Sequence, residues 1–224
     1  MTATEMTPGA ATRAHTGIGR ALAAWEQVRN RTLEVAAALT PEQADFRPDS
    51  KSWSVGQNLD HLVKIDGIYR QHIRQLIDTA RNSGPLTIVM GWGEGDPRPP
   101  FVPAAAMPMM TLPLTLMNMF VPNTVREIFL RYPLMPAVSP KRAEPENGRS
   151  PNDLVSSLRA SFEETKVLIA GPLPAKTERV ALVHPIFGRN TIADILALMT
   201  AHELRHSVQM ERIARSGGFS LSNP

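Results

Sequence analysis

Four stretches of the chain repeat apolar residues at intervals of three and four, the period that places them on one face of an α-helix. The first runs through Ile18, Leu22, Trp25, Val28, Thr32, Val35 and Leu39. It predicts a helix of about six turns, closed at Thr40-Pro41 because proline disfavours helical geometry at the residue before it. The second opens at Ser54, a helix-capping residue type, with Gln57 three positions on to complete a capping box. Its stripe is Val55, Leu59, Leu62, Ile65, Tyr69, Ile73 and Leu76, and the pattern predicts an end near Ser83-Gly84-Pro85. The third begins at Ser150-Pro151, a cap followed by proline at the first helical position, and carries Leu154, Leu158, Ser161, Phe162, Thr165 and Leu168 up to Gly171-Pro172. The last starts at Thr191 with Asp194 and carries Ile192, Ile195, Leu196, Met199, His202, His206, Met210 and Ile213 before Gly217-Gly218 stops it. Only Val180 to Val183 reads as extended. Four long helices with almost no strand predict an all-α helical bundle.

The rhythm fails twice. Residues 1–15 are small and polar and read as a flexible N-terminal arm, leaving 16–224 as a single domain, the number that a 224-residue chain favours. Residues 84–150 form a long insertion between the second and third helices. Within it, Pro99 to Val125 holds no charged residue, a length that would cross a bilayer. Pro99, Pro100, Pro103, Pro108, Pro113 and Pro122 interrupt it, each costing about 3 kcal/mol inside a helix, so the pattern argues against a membrane span. Met107, Met109, Met110, Met117 and Met119 suit an adaptable apolar surface: lid, pocket wall or homodimer contact.

Composition narrows the chemistry. The net charge of +3 is modest and the Lys and Arg are scattered, so no clustered basic face argues for nucleic acid. With 0 cysteines, disulfides, thiolate nucleophiles, iron–sulfur clusters and Cys-type zinc sites are all excluded. Any metal must be held by His, Asp or Glu. The first residues carry Glu5 and Pro8 and no apolar run of signal-peptide length, which predicts cytoplasmic residence.

The histidines carry the candidate chemistry. His202 and His206 lie four apart on a helix, about 6 Å along its axis, and both continue the apolar stripe. Two imidazoles pointed into a core need partners, and a shared cation is one. His61 borders the buried side of the second helix, and facing helices of a bundle can bring such residues to one ion. His72 lies too far along its helix to share it. His184 precedes a proline in a loop, and His15 falls in the arm. Residues 202–206 also spell H-E-x-x-H, the zincin signature with Glu203 as general base. A zincin needs a third ligand downstream, yet Glu211 is the sole carboxylate after His206, so a metallopeptidase is the weaker reading.

The order and separation of two blocks resemble the DinB-like (DinB/YfiT-type) metalloenzyme superfamily. One is Phe46-Arg47-Pro48 followed by Trp53-Ser54-Val55-Gly56-Gln57-Asn58-Leu59-Asp60-His61-Leu62. The other is His184-Pro185-Ile186-Phe187-Gly188-Arg189-Asn190-Thr191 leading to His202-Glu203-Leu204-Arg205-His206-Ser207-Val208-Gln209. The resemblance implies an up-down four-helix bundle in which His61, His202 and His206 ligate zinc, nickel or iron. Gln209 matches the residue usual one turn after the last ligand, and with Tyr69 it is expected to line the pocket. Three protein ligands leave coordination positions open, the catalytic arrangement, with Glu203 as base or as a support for an imidazole. The implied activities on a small-molecule substrate are metal-dependent hydrolysis and thiol S-transfer with a low-molecular-weight thiol as cosubstrate. The alternative is a non-catalytic, metal-binding or stress-related interaction protein.

Overall fold

The structure is a computed structural model that describes residues 8–89, 141–184 and 188–219, with side chains from residue 17 onward. The arm residues 1–7, the apolar span Pro99 to Val125 with its methionines, and the loop 185–187 lie outside the described residues. The chain is mostly helical. Helix α1 spans Pro8–Ala37, α2 Pro41–Asp45, α3 Val55–Arg81, α4 Pro151–Ala170 and α5 Ile192–Ala214. Strands β1 (Thr87–Val89), β2 (Ala181–His184) and β3 (Gly188–Asn190) add a small sheet. α1 packs against α4 and α5, and α3 packs against the same two, so each long helix packs mainly against two others.

Capping fixes where the helices start. Ser54, Ser150 and Thr191 each accept a backbone N–H of the first turn, at Gln57, Asp153 and Asp194. Each such cap contributes about 1 kcal/mol. The stripes of α4 and α5 match the periodic pattern closely. On α1 the buried positions are Ile18, Trp25, Arg29, Thr32 and Ala36, whereas Val35 is 48% exposed. The stripe therefore includes an arginine in place of Val28 and turns away from Val35. α1 also begins at Pro8, so half of the expected arm is helical.

Two further elements depart from the pattern. Thr40-Pro41 does end the first helix, but Thr40 also caps α2, with Pro41 in its first turn and Gln43 completing a capping box. The expected connector thus holds a turn of helix. Strand content is also higher than expected. β2 pairs antiparallel with β3, His184 opposite Gly188, and parallel with β1, Ile88 opposite Leu182. Both faces of β2 are buried, and Val180 and Leu182 join the core of Trp25, Ile73, Leu76, Phe162 and Ile195. A second core of Leu59, Leu62, Leu154, Leu158 and Met210 fills the other end.

The described residues that follow α3 and precede α4 are tied down. β1 joins the sheet, and residues 141–149 lie along α3. There the Asp60 carboxylate accepts the Glu146 N–H at 2.8 Å and Arg149 at 2.7 Å, and Lys64 reaches the Glu144 carbonyl at 2.9 Å. Burial works against the Asp60 charge, but these donors outweigh it and hold its carboxyl below the usual range.

Candidate metal centre

α3 and α5 bring His61, His202 and His206 together, with their ligand atoms all within 4.8 Å of one another. The Nε2 of His202 lies 3.4 Å from that of His61 and 3.2 Å from that of His206. The far nitrogens decide what these atoms are. His61 Nδ1 lies 2.6 Å from the carbonyl oxygen of Ala143, in a single 3-10 turn at Lys141–Ala143. A carbonyl only accepts, so Nδ1 carries the hydrogen and Nε2 presents a lone pair. His206 Nδ1 lies 2.7 Å from Asn58 Oδ1, and Asn58 Nδ2 donates to the Ser54 carbonyl at 2.8 Å. That second bond orients the amide, so His206 likewise donates through Nδ1 and presents a bare Nε2.

Three converging nitrogens thus share at most the one hydrogen that His202 can carry. Protonating the rings does not repair the deficit. Burial pushes His61 down to about 4, and it pushes His202 and His206 well below the imidazole range, with neighbouring histidines adding to it. All three rings are neutral at pH 7, the form that ligates a metal. Two nitrogens bound at 2.0–2.1 Å to a tetrahedral ion would lie about 3.3 Å apart, close to the 3.2 and 3.4 Å of the two pairs that include His202. The donor set fits a divalent cation. Trp53 walls the cluster, stacked on His206 with the rings 10° apart and tilted over His61 at a centroid distance of 4.9 Å.

Glu203 faces elsewhere. Trp25 Nε1 donates to its Oε2 at 2.8 Å, Arg29 Nε to its Oε1 at 3.0 Å and Arg29 Nη2 to its Oε2 at 2.9 Å. Both oxygens are engaged by α1, so the expected role as base or imidazole support is not the environment Glu203 occupies. The same guanidinium donates to Asp66 Oδ2 on α3 at 2.9 Å and to the Leu158 carbonyl on α4 at 3.1 Å. One α1 side chain thereby bonds to each of the other three long helices. Burial pushes Asp66 up to about 6, more than Arg29 pulls it down.

Of the other expected site residues, Gln209 lies one turn beyond His206, with its buried Oε1 meeting no donor at hydrogen-bond distance but close enough to the His206 ring to raise its basicity. Tyr69 joins a different group, packing against the core around Trp25 and meeting His72 edge-on. His184 ends β2, buried in the sheet rather than in a loop.

Sequence reasoning missed Arg29, Asp66, Asn58 and Ala143 as parts of this region. Arg29 and Asp66 fall at helical spacing within buried stripes, and Asn58 is one turn before His61, so a signal existed for them. For Ala143 there was none, because only its backbone oxygen acts.

The fold and cluster define a mostly helical protein whose histidines are compatible with metal binding. A model of the DinB superfamily matches residues 24–210, and the chain belongs to that superfamily. No curated protein and no solved structure matches it. Among the described residues, no helix is long and apolar enough to cross a membrane.

Proposed function

We propose that the chain is an up-down four-helix bundle holding one divalent ion (zinc, nickel or iron) on His61, His202 and His206, and that it is a metal-dependent enzyme for a small-molecule substrate. The observation that carries this reading is the hydrogen deficit at the three Nε2 atoms, that of His202 lying 3.2 Å from His206 and 3.4 Å from His61. The Ala143 carbonyl and Asn58 fix two rings in the ligating tautomer, as outer partners of metal-bound histidines do. Trp53 shields one side of the cluster from water. Three protein ligands leave positions open, which favours a catalytic over a structural ion. When bound, such an ion supplies a Lewis acid that acidifies water or an external thiol near neutral pH.

Two reaction types fit, hydrolysis and thiol S-transfer, and the chain's lack of cysteine leaves a thiol to come from a small cosubstrate. Cytoplasmic residence and a homodimer through the methionine-rich segment belong to the same proposal. Metal analysis of the purified protein beside His206→Ala tests the site. A near-stoichiometric ion that the substitution removes is expected, and equal metal content in both would sink the reading. Conversion of a generic electrophile only when thiol is added indicates a transferase, whereas ester or amide cleavage without thiol indicates a hydrolase. Metal binding with neither activity would favour the interaction-protein alternative.

A further inference from the structure

A cation with no partner among the described residues flanks the three imidazoles. Arg205 follows His202 by three positions on α5 and precedes His206 by one, so side chains of one face place it beside the cluster. At about 100° per residue, Arg205 lies about 60° to one side of His202 and Gln209 about 20° to the same side. Glu203 lies about 100° to the other side, where α1 engages it. Arg205 is half-buried, and among the described residues its guanidinium has no hydrogen bond or ion pair. The contrast with its fellows is sharp. Arg29, Arg70 and Arg149, the other described arginines that are not exposed, are all hydrogen-bonded and paired with carboxylates. Withdrawing a guanidinium from water without a partner is costly, which marks Arg205 as a group awaiting an anion. Its charge reaches His61, His202 and His206, lowering the basicity of each. Gln209, four positions on, has a buried Oε1 that meets no donor at hydrogen-bond distance, yet lies close enough to His206 to raise that ring's basicity.

We propose that Arg205 and Gln209 form a recognition edge beside the metal centre, Arg205 binding an oxyanion of the substrate, carboxylate or phosphate, and Gln209 accepting an N–H or O–H from it. The inference rests on the three-histidine metal reading and adds a substrate class to it: small anionic molecules. A planar guanidinium suits such groups because it can donate two parallel hydrogen bonds.

The test uses the full chain loaded with cobalt(II), whose visible absorption responds to anions that arrive at the ion. Wild type, Arg205→Met and Arg205→Lys are titrated with acetate and with inorganic phosphate, after metal analysis of each. Equal cobalt content is expected, with half-saturation in Arg205→Met at about tenfold higher anion concentration, the worth of one charge-assisted hydrogen bond. Arg205→Lys should fall between. The anion that shows the larger difference identifies the oxyanion type. Indistinguishable titrations, or no response in wild type, overturn the proposal. If wild type takes up no cobalt, the metal reading fails on its own. Arg205 is then judged by thermal melting: a rise with phosphate or acetate that Arg205→Met lacks supports the edge, and equal or absent rises overturn it.

Discussion

At His206, the nitrogen that faces the cluster is governed by the bond made at the nitrogen that faces away. Asn58 holds Nδ1–H, and Ser54 in turn holds Asn58. Replacing Asn58 by Ala is expected to weaken zinc binding ten- to a hundredfold, measured by competition with a chromophoric chelator. Asn58→Asp keeps the acceptor and should retain most of the affinity. The buried titratable groups also set a pH dependence for the metal-free protein. His61 titrates near 4 when folded and near 6.5 when unfolded, so its contribution is present above 6.5 and is lost as pH falls towards 4. At about 1.4 kcal/mol per unit, that loss approaches 3 kcal/mol. Asp66 has the opposite sign. Its carboxyl is raised from 3.8 to about 6, so its contribution is present below 3.8 and is lost as pH rises through 6. Urea unfolding from pH 7 to 4 should therefore show a steeper loss of stability in Asp66→Asn than in wild type; a shallower loss would contradict this assignment.

At the scale of elements, α3 is positioned by its close contact with α2. A Cβ added at Gly56 would lie 2.9 Å from the backbone oxygen of Ala44, which sits fully buried in α2. Alanine is the better helix former by up to about 1 kcal/mol, yet the clash should prevail. Gly56→Ala is expected to destabilise the protein by about 1–3 kcal/mol, read from the urea midpoint. A stabilised variant would show that α2 yields at no cost. The starts of α3, α4 and α5 were legible because caps are local: Ser54, Ser150 and Thr191 bond within four residues of themselves. The sheet was not, since β1 pairs with β2 across more than ninety residues, and no local pattern encodes that partner.

Across the whole molecule, Arg29 links α1 to α3, α4 and α5 through Asp66, Leu158 and Glu203. Glu203 lies between His202 and His206, and Asp66 lies just beyond His61, so the clamp grips both helices that bear the imidazoles. Arg29→Met would leave two carboxylates buried without their cation. A loss of about 3–5 kcal/mol at neutral pH is expected, measured by urea unfolding. Adding Asp66→Asn and Glu203→Gln should recover much of it, because the penalty comes from uncompensated charge. Failure of the triple variant to recover would assign the cost to packing of the Arg29 stem.

By itself the sequence determined the long helices, their caps and the inward course of His61, His202 and His206, because periodicity and capping are written within a few residues. It also spelled H-E-x-x-H, and there it misdirected. The spelling shows that Glu203 is next to a ligand, but not that about 100° of helical rotation turns it towards α1. Only the tertiary structure decided that Glu203 pairs with Arg29, that a backbone oxygen at Ala143 sets the tautomer of His61, and that Arg205 stands beside the imidazoles without a partner among the described residues. Each of these depends on which groups meet across helices, and distance along the chain carries no record of that.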